Sequence, residues 1–276
     1  MHCIIGETSS SFFRETAKMH PPAAIVDSDI AAFAIEHGAG MQVAEHHHDC
    51  GQISVVFRGT LAVTSDDGWR VVPPGMAIWI PPQLPHSARY SESSSLIHLR
   101  LSNGLTSSLP GNCVSVVATD FLRALAFEAL RLQRVESQSE AINLVARLVV
   151  MQIALPQSGP KLYLPHGRDR RLQQATAILR SAPGENVTLD ELAHKVHTSG
   201  RTLARLFVTE TGMSFTRWRD YLKIINAIDR LARQRSITQT ALELGYRSTS
   251  SFTTLFTRLV GLPPKRYMQF LHKPVS

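Results

Sequence analysis

The sequence predicts an α+β protein of two domains, with a β-rich sandwich or barrel at the N-terminus and an all-helical domain at the C-terminus. Three observations support this fold class. Residues 24–118 contain short strand-like runs separated by Gly, Pro, Asp and Ser. From Thr119 onward, apolar residues recur at helical spacing. The C-terminal part contains an internal repeat, in which each copy has a helix, a turn and a second helix.

A helical hairpin and a linker follow the β-rich part. Residues 53–56, 60–64 and 77–80 are strand-like, and Asp66-Asp67-Gly68 is a hairpin turn signal. Two amphipathic helices over about residues 119–155, joined by a polar turn at 136–138, predict an antiparallel hairpin. Such a hairpin either completes the β domain or forms a dimer contact, and the sequence leaves both alternatives open.

The predicted domains are residues 1–155 and 169–276. The segment 156–168 between them contains three prolines and two glycines without periodicity, which is typical of a linker. Residues 1–165 contain 11 Lys and Arg against 14 Asp and Glu, whereas 166–276 contain 18 against 8. The excess positive charge therefore lies in the helical part, which indicates nucleic acid or an anionic membrane surface as a partner.

Composition excludes several other classes of protein. The chain has no run of 18 apolar residues, so we expect it not to span a membrane. The first residues lack a basic start followed by an apolar run, so no secretion signal is expected. Cys3, Cys50 and Cys113 are too few and too widely spaced for a disulfide framework, which favours a reduced cytoplasmic compartment.

The internal repeat predicts two helix-turn-helix units, at 188–212 and 237–261. The two copies are offset by 48 residues before the turn and by 49 after it. Gly245 supplies a positive φ for the second turn, and His197 occupies the matching place in the first. The second helix of each unit has a serine as its expected N-cap and a glycine as its stop, namely Ser199 with Gly212 and Ser248 with Gly261.

The polar faces of the second helices are candidates for reading DNA bases, because arginine contacts guanine edges and threonine offers a hydroxyl or a methyl group. The candidate DNA-binding residues are Arg201, Thr202, Ala204, Arg205, Thr249, Ser250, Thr253, Thr254 and Arg258. A long amphipathic helix over about residues 215–234 lies between the units and spans roughly 30 Å. One turn of B-DNA rises about 34–36 Å, so this helix could hold both units in successive major grooves of one DNA face.

The segment 188–268 resembles the AraC/XylS regulators. The residues that carry the resemblance are Gly245-Tyr246, Ser248, Phe252, Phe256, Gly261, Pro263-Pro264 and Tyr267. The resemblance implies a transcription regulator whose two units bind a non-palindromic site of two adjacent grooves. Thr254 occupies a position where a basic residue is common in that family, so base reading there is expected to be weaker or more apolar.

The N-terminal histidines lie in a spacing that resembles the two cupin motifs. Gly40, His46, His48, Gln52 and Gly59 follow the first motif, while Gly75, Pro81 and His86 follow the second. The sequence departs from the cupin pattern at Gln52, where glutamate is usual, at Gln83 and at Tyr90. The resemblance implies a cupin-like barrel or jelly roll, and AraC-type regulators often carry such a sensor.

The cupin resemblance implies that His46, His48, Gln52 and His86 are metal or effector ligands. Imidazole suits a divalent transition metal, although Gln52 brings no negative charge. The alternative is that these histidines line a pocket for a small organic effector, with Phe57, Trp79 and Ile80 as apolar lining.

We therefore expect a cytoplasmic, effector-controlled transcription regulator that binds double-stranded DNA, contacts RNA polymerase and possesses no enzymatic activity. A homodimer is consistent with the helical hairpin. The alternative is a cupin metalloenzyme, of the dioxygenase or isomerase type, fused to a DNA-binding module. The lack of an acidic ligand at Gln52 argues against this alternative.

Overall fold

The computed structural model describes residues 29–90, 93–134, 139–156 and 162–271. The expected polar turn at 136–138 and part of the expected linker lie outside these residues. Within the described residues, no helix combines the length and the apolar character that crossing a membrane requires.

In the described residues, ten strands form two five-stranded sheets. The strands are β1 (Ile30–His37), β2 (Gln42–His46), β3 (Gly51–Arg58), β4 (Leu61–Ser65), β5 (Gly68–Val72), β6 (Met76–Ile80), β7 (His86–Tyr90), β8 (Ser94–Leu101), β9 (Val114–Val117) and β10 (Tyr163–Pro165). The first sheet has the order β1-β8-β3-β6-β9 and the second the order β10-β5-β4-β7-β2. The three strands expected from the sequence are confirmed, as is the turn at Asp66-Asp67 between β4 and β5.

Each face of the first sheet belongs to a different hydrophobic cluster. Val56, Ile78 and Leu96 of this sheet pack with Leu61 and Val72 of the second sheet, which places one core between the two sheets. Because strand side chains alternate between faces, the odd-numbered neighbours on β3 and β8 point the other way. They belong to a second cluster, which includes residues of the helical hairpin.

The helical hairpin completes the β domain. After the short helix α1 (Asn103–Thr106), it consists of α2 (Asp120–Leu132) and α3 (Ser139–Ala154). Leu122 and Leu125 of α2 and Val149 of α3 are buried in the same cluster as residues of β3 and β8. The side chain of Thr119 caps α2 by accepting a hydrogen bond from the Leu122 amide.

Part of the expected linker is a strand. β10 pairs antiparallel with β5, and Leu162 and Leu164 are buried. The carbonyl of Pro165 accepts a hydrogen bond of 2.7 Å from Nε1 of Trp218. Three residues are too few to show an alternation of apolar and polar side chains, so the sequence does not predict this strand. It forms because β5 provides a strand to pair with.

The described residues that follow β10 are mainly helical. Its helices are α4 (Arg170–Ser181), α5 (Leu189–Lys195), α6 (Gly200–Thr211), α7 (Phe215–Ala232), α8 (Ile237–Glu243), α9 (Thr249–Val260) and α10 (Pro264–Leu271). The described residues divide into two compact units, one that includes 29–63 and 72–156 except for the gaps named above, and one that includes 64–71 and 162–270. The second unit therefore includes the hairpin turn at 66–67, which the sequence assigned to the N-terminal domain.

Candidate nucleic-acid interface and effector site

Two helix-turn-helix units form as the repeat predicted. In the first unit, His197 adopts a φ of 54°, and in the second, Gly245 adopts a φ of 72°. Ser199 accepts a hydrogen bond from the Thr202 amide, and Ser248 accepts one from the Ser251 amide, so both serines are N-caps. The predicted glycine stops, Gly212 and Gly261, both have positive φ and are also confirmed.

The candidate residues of α6 lie on its outer face. Arg201 and Arg205 are exposed, whereas Thr202 and Ala204 are half-buried. Leu203 and Phe207 point to the opposite side and are fully buried. Among the described residues, neither guanidinium forms a hydrogen bond or an ion pair, so both arginines are available to an external acceptor.

The candidate residues of α9 also lie on an outer face, and the hydroxyl of Thr254 is bound to its own helix. Oγ1 of Thr254 donates to the carbonyl of Ser250 at 3.0 Å. Hydroxyl groups bound to the preceding helical turn leave the side-chain methyl as the group presented outward. Thr249 and Thr253 are half-buried, and Ser250 is exposed.

Two basic residues have internal partners. Arg258, a candidate DNA contact, lies 3.9 Å from Asp220 in an exposed ion pair. Lys223 of the long helix is buried, and its Nζ donates to Oδ1 of Asn186. Burial lowers the pKa of Lys223. Lys223 is buried because α7 is covered on several sides, with Ile224 and Ala227 buried beside it.

The long helix α7 connects the two units. It has 18 residues, which corresponds to roughly 27 Å at 1.5 Å per residue. Trp218, Leu222, Ile225 and Ile228 form its buried side, as the apolar spacing indicated. The helix is two residues shorter than expected because it ends at Ala232, ahead of Gln234 with its φ of 59°.

Three histidines converge in the N-terminal β domain. One ligand nitrogen each of His46, His48 and His86 lies within 4.8 Å of the other two. His46 pairs with His86 in the register of β2 and β7, although these residues are 40 positions apart in the sequence. The fold therefore brings together three of the residues that the cupin resemblance implied as ligands.

The backbone holds two of the three imidazoles in one tautomer. Nδ1 of His46 lies 2.8 Å from the carbonyl of Ala44, and Nδ1 of His86 lies 2.9 Å from the carbonyl of Leu84. Because a carbonyl only accepts, each Nδ1 carries the proton and each Nε2 keeps a free electron pair. Burial lowers the pKa of His86. Burial, together with Arg100 and the other histidines, lowers the pKa of His48 to about 4, so His48 is neutral at pH 7.

Gln52, the fourth predicted ligand, has other partners. Its Nε2 donates to Oγ of Ser54 at 3.1 Å and lies 3.3 Å from Nδ1 of His98. Oγ of Ser54 lies 2.7 Å from the same nitrogen. Burial lowers the pKa of His98 to about 3. Sequence reasoning missed Ser54, His98 and Arg100, and alternation along β3 and β8 was the only signal that could have indicated them.

Phe57 and Trp79 do not line this site. Both belong to the cluster between the first sheet and the helical hairpin. The ring of Phe57 packs against that of Phe127 with centroids 4.9 Å apart, and Nε1 of Trp79 donates to the carbonyl of Pro110. The prediction that they line an effector pocket with Gln52 is therefore wrong. Gln52 and Phe57 are separated by an odd number of positions on β3, so their side chains lie on opposite faces of the sheet. Ile80 lies in the core between the sheets.

Comparison with known proteins identifies the family. Residues 192–269 match a family described as a helix-turn-helix domain, and residues 32–145 match the AraC-like ligand binding domain. The HTH-type transcriptional regulator NimR of Escherichia coli strain K12 is 30% identical over 240 residues, covering 86% of this chain and 86% of NimR. The HTH-type transcriptional activator RhaS of Escherichia fergusonii is 26% identical over 243 residues, covering 82% of this chain and 87% of RhaS.

A crystal structure of ToxT from Vibrio cholerae O395 aligns over 89% of this chain and 99% of ToxT, with 12% identity and a TM-score of 0.39. The sequence relatives are named as transcriptional regulators and activators, not as enzymes. The expectations of a regulator and of no enzymatic activity are thus confirmed. The chain belongs to the AraC family of transcriptional regulators, and it combines a DNA-binding helix-turn-helix domain with a ligand-binding domain.

Proposed function

We propose that α6 and α9 are the recognition helices of a sequence-specific regulator and that they enter successive major grooves on one face of the DNA. The observation that carries this proposal is the pair of capped helices at the two ends of α7, whose length of roughly 27 Å is close to one DNA turn. Footprinting should show two protected major-groove segments on one face. Uniform protection along the DNA would contradict the proposal.

The two recognition helices should contribute differently to specificity. The hydroxyl of Thr254 is bound to its own helix, so its methyl group is the expected DNA contact. Thr254→Val keeps a β-branched methyl and should change the affinity for the target DNA less than about twofold, whereas Thr254→Asn should lower it. Fluorescence anisotropy with a labelled target duplex at fixed salt measures both variants. A large loss for valine would show that the hydroxyl reads a base.

We propose that the ligand-binding domain holds a divalent transition metal through His46, His48 and His86. The donor set fits such an ion. Bonds from a metal to imidazole are about 2.1 Å long, so two ligand nitrogens lie up to about 4.2 Å apart, and small ring rotations bring the three nitrogens from 4.8 Å into this range. The backbone-fixed tautomers of His46 and His86 favour binding, and three imidazoles leave coordination positions open for a further ligand.

Metal binding can be tested with cobalt(II) or zinc(II) titration of the purified full-length protein. We expect one equivalent to bind. His86→Ala should weaken binding by more than about 100-fold, since loss of a direct ligand exceeds the cost of losing its supporting partner. His47→Ala is the matched control, because His47 is exposed and lies outside the cluster. Equal affinity for the two variants would rule out this site.

We also propose that the regulator is a homodimer. Leu144, Leu148, Met151 and Leu155 are each at least 36% exposed and follow a spacing of four, three and four residues, which is the spacing of a two-helix coiled-coil seam. Met151→Glu should convert dimers to monomers in sedimentation experiments. Ala154→Glu adds the same charge about 60° from Met151 and about 90° from the centre of the four-residue stripe, and it should leave the dimer intact. A monomeric wild-type protein would refute this proposal.

Two further elements complete the proposed function. We propose that the protein acts in the cytoplasm and contacts RNA polymerase at its target promoters. A regulator of transcription has to reach the chromosome, and the family membership supports this assignment.

A further inference from the structure

The loop that leads into the first helix-turn-helix unit lies against the turn of the second unit. This loop, residues 182–187, connects α4 with α5. A Cβ atom on Gly184 would collide with the carbonyl oxygen of Glu243, and one on Gly245 would lie 2.5 Å from the carbonyl oxygen of Gly184. The two backbones therefore approach each other at a distance that requires residues without a side chain.

Lys223 lies beside this contact, in the middle of α7. Its Nζ donates a hydrogen bond of 3.3 Å to Oδ1 of Asn186 in the loop 182–187. The same Nζ lies 5.3 Å from the ring centre of Tyr246 in the turn of the second unit, and an aromatic face attracts an ammonium group at such a distance. One side chain of the connecting helix thus contacts both the loop before the first unit and the turn of the second.

A second basic residue of α7 holds the same loop. Nη1 of Arg219, one helical turn before Lys223, donates to the carbonyl of Val187 at 3.1 Å. Val187 directly precedes Thr188, whose side chain caps α5 by accepting a hydrogen bond from the Glu191 amide. The loop is therefore fixed to α7 immediately before the first unit begins.

The position of Lys223 is unfavourable for a charged group. The residue is only 6% exposed, and an ammonium group loses hydration when it is buried. Replacing buried ionic groups with apolar side chains is often neutral or stabilising, whereas the best-attested use of a buried polar group is to fix the register of packed helices. The hydrogen bond from Lys223 to Asn186 is directional, so it suits a role in fixing geometry.

We propose that Lys223 is a positioning residue that fixes the distance and the angle between the recognition helices α6 and α9, and that it thereby sets the spacing of the two half-sites that the regulator binds. This inference rests on the function proposed above, in which α6 and α9 enter successive major grooves. It adds the residue that determines the geometry of the DNA target, while the outer faces of α6 and α9 read the bases.

The spacing of two half-sites is sensitive to a single base pair. Since B-DNA has about 10–10.5 base pairs in a turn of about 34–36 Å, one added base pair moves the second half-site by about 3.4 Å and rotates it by about 35°. A protein that holds its recognition helices rigidly cannot follow both changes. Without the contact from Lys223 to Asn186, the two units are joined less firmly and can adjust to a shifted half-site.

The test compares the target duplex that the wild-type protein selects from a random pool with two altered duplexes, which have one base pair inserted or removed between the half-sites. Fluorescence anisotropy at fixed salt measures the affinities. The wild type should bind both altered duplexes about tenfold or more weakly than the target. We call this loss of affinity the spacing penalty.

Lys223→Met keeps a long side chain but lacks the hydrogen-bond donor. It should reduce the spacing penalty to less than about threefold, because two modules that are joined less rigidly engage a shifted pair of sites more easily. An unchanged spacing penalty in the folded Lys223→Met protein would overturn the inference. A role in stability alone would change the unfolding midpoint and leave the spacing penalty as it is.

Asn186 provides a second test at an exposed position. Asn186→Ala removes the acceptor and should reduce the spacing penalty as Lys223→Met does. Asn186→Asp keeps an acceptor and should preserve the wild-type penalty. If circular dichroism shows that Lys223→Met does not fold, Asn186→Ala decides, and a wild-type spacing penalty in Asn186→Ala would overturn the inference.

Lys195→Met is the matched control for charge. Lys195 is exposed at the end of α5, so its replacement removes one positive charge without touching the contact between the units. The affinities for all three duplexes should fall by the same factor. If Lys195→Met reduces the spacing penalty as much as Lys223→Met does, the effect comes from charge and the inference fails.

Footprinting distinguishes a failure of this inference from a failure of the proposed function. Uniform protection along the DNA would overturn the two-groove proposal together with the inference. Two protected segments, combined with a wild type that binds all three duplexes equally, would leave the two-groove proposal standing and overturn the inference alone.

Discussion

Arg201→Ala or Arg205→Ala should each weaken binding to the target DNA by about 5- to 150-fold, because a bidentate contact from arginine to guanine is worth about 1–3 kcal/mol. Both guanidinium groups extend from the exposed face of α6. Anisotropy measures the effect on a duplex that the wild-type protein has selected from a random pool. The same variants should change the affinity for a scrambled duplex far less.

Arg170→Ala provides the control for charge. Arg170 is exposed in the first turn of α4, before the first helix-turn-helix unit. Its loss removes one positive charge from the same domain without touching α6, so affinities for target and scrambled DNA should fall by the same small factor. If Arg201→Ala behaves like Arg170→Ala on both duplexes, α6 contacts phosphates and does not read bases.

Gly245→Ala should destabilise the protein by about 2–5 kcal/mol. Alanine with a positive φ costs about 1–2 kcal/mol, and Gly245 has a φ of 72°. A Cβ atom there would also lie 2.5 Å from the carbonyl oxygen of Gly184 and 3.4 Å from Nζ of Lys223. Crowding of this kind typically adds about 1–3 kcal/mol. Urea unfolding followed by circular dichroism at a helical wavelength measures the loss.

Gly261→Ala is the matched variant for this prediction. Gly261 has a φ of 85°, but an added Cβ would meet no atom within 4 Å. Only the backbone term applies there, so the loss should be about 1–2 kcal/mol. His197 has a φ of 54° at the equivalent turn of the first unit, and His197→Gly should be neutral or stabilising. Equal losses for the two alanine variants would show that the contact with Gly184 is unimportant.

The structure decides the role of the helical hairpin, for which the sequence left two alternatives open: completing the β domain or forming a dimer contact. Helical spacing predicted the hairpin, but both of its faces contain apolar residues. In the structure, one face packs on the first sheet through Leu122 and Val149. The hairpin therefore completes the β domain. The exposed apolar residues of α3, which include Met151, remain available for the proposed dimer contact.

Local signals in the sequence determined the helical domain. Ser199 and Ser248 cap the helices that follow them, and Gly212 and Gly261 end those helices, because caps and positive φ angles depend on residues within one or two turns. The repeat itself was enough to predict both units and the long helix between them. The convergence of His46, His48 and His86 was expected only from the resemblance to known motifs.

Only the tertiary structure decided which side chains share the interior of the β domain. Alternation along a strand tells which residues lie on the same face, but it does not tell which strand is the neighbour or which face a helix covers. Ser54 meets His98 across 44 residues, and Phe57 turns outward because α2 packs on that face. Pairing over such distances depends on the whole chain, so the contacts of Gln52, Ser54 and His98 became visible only in the fold.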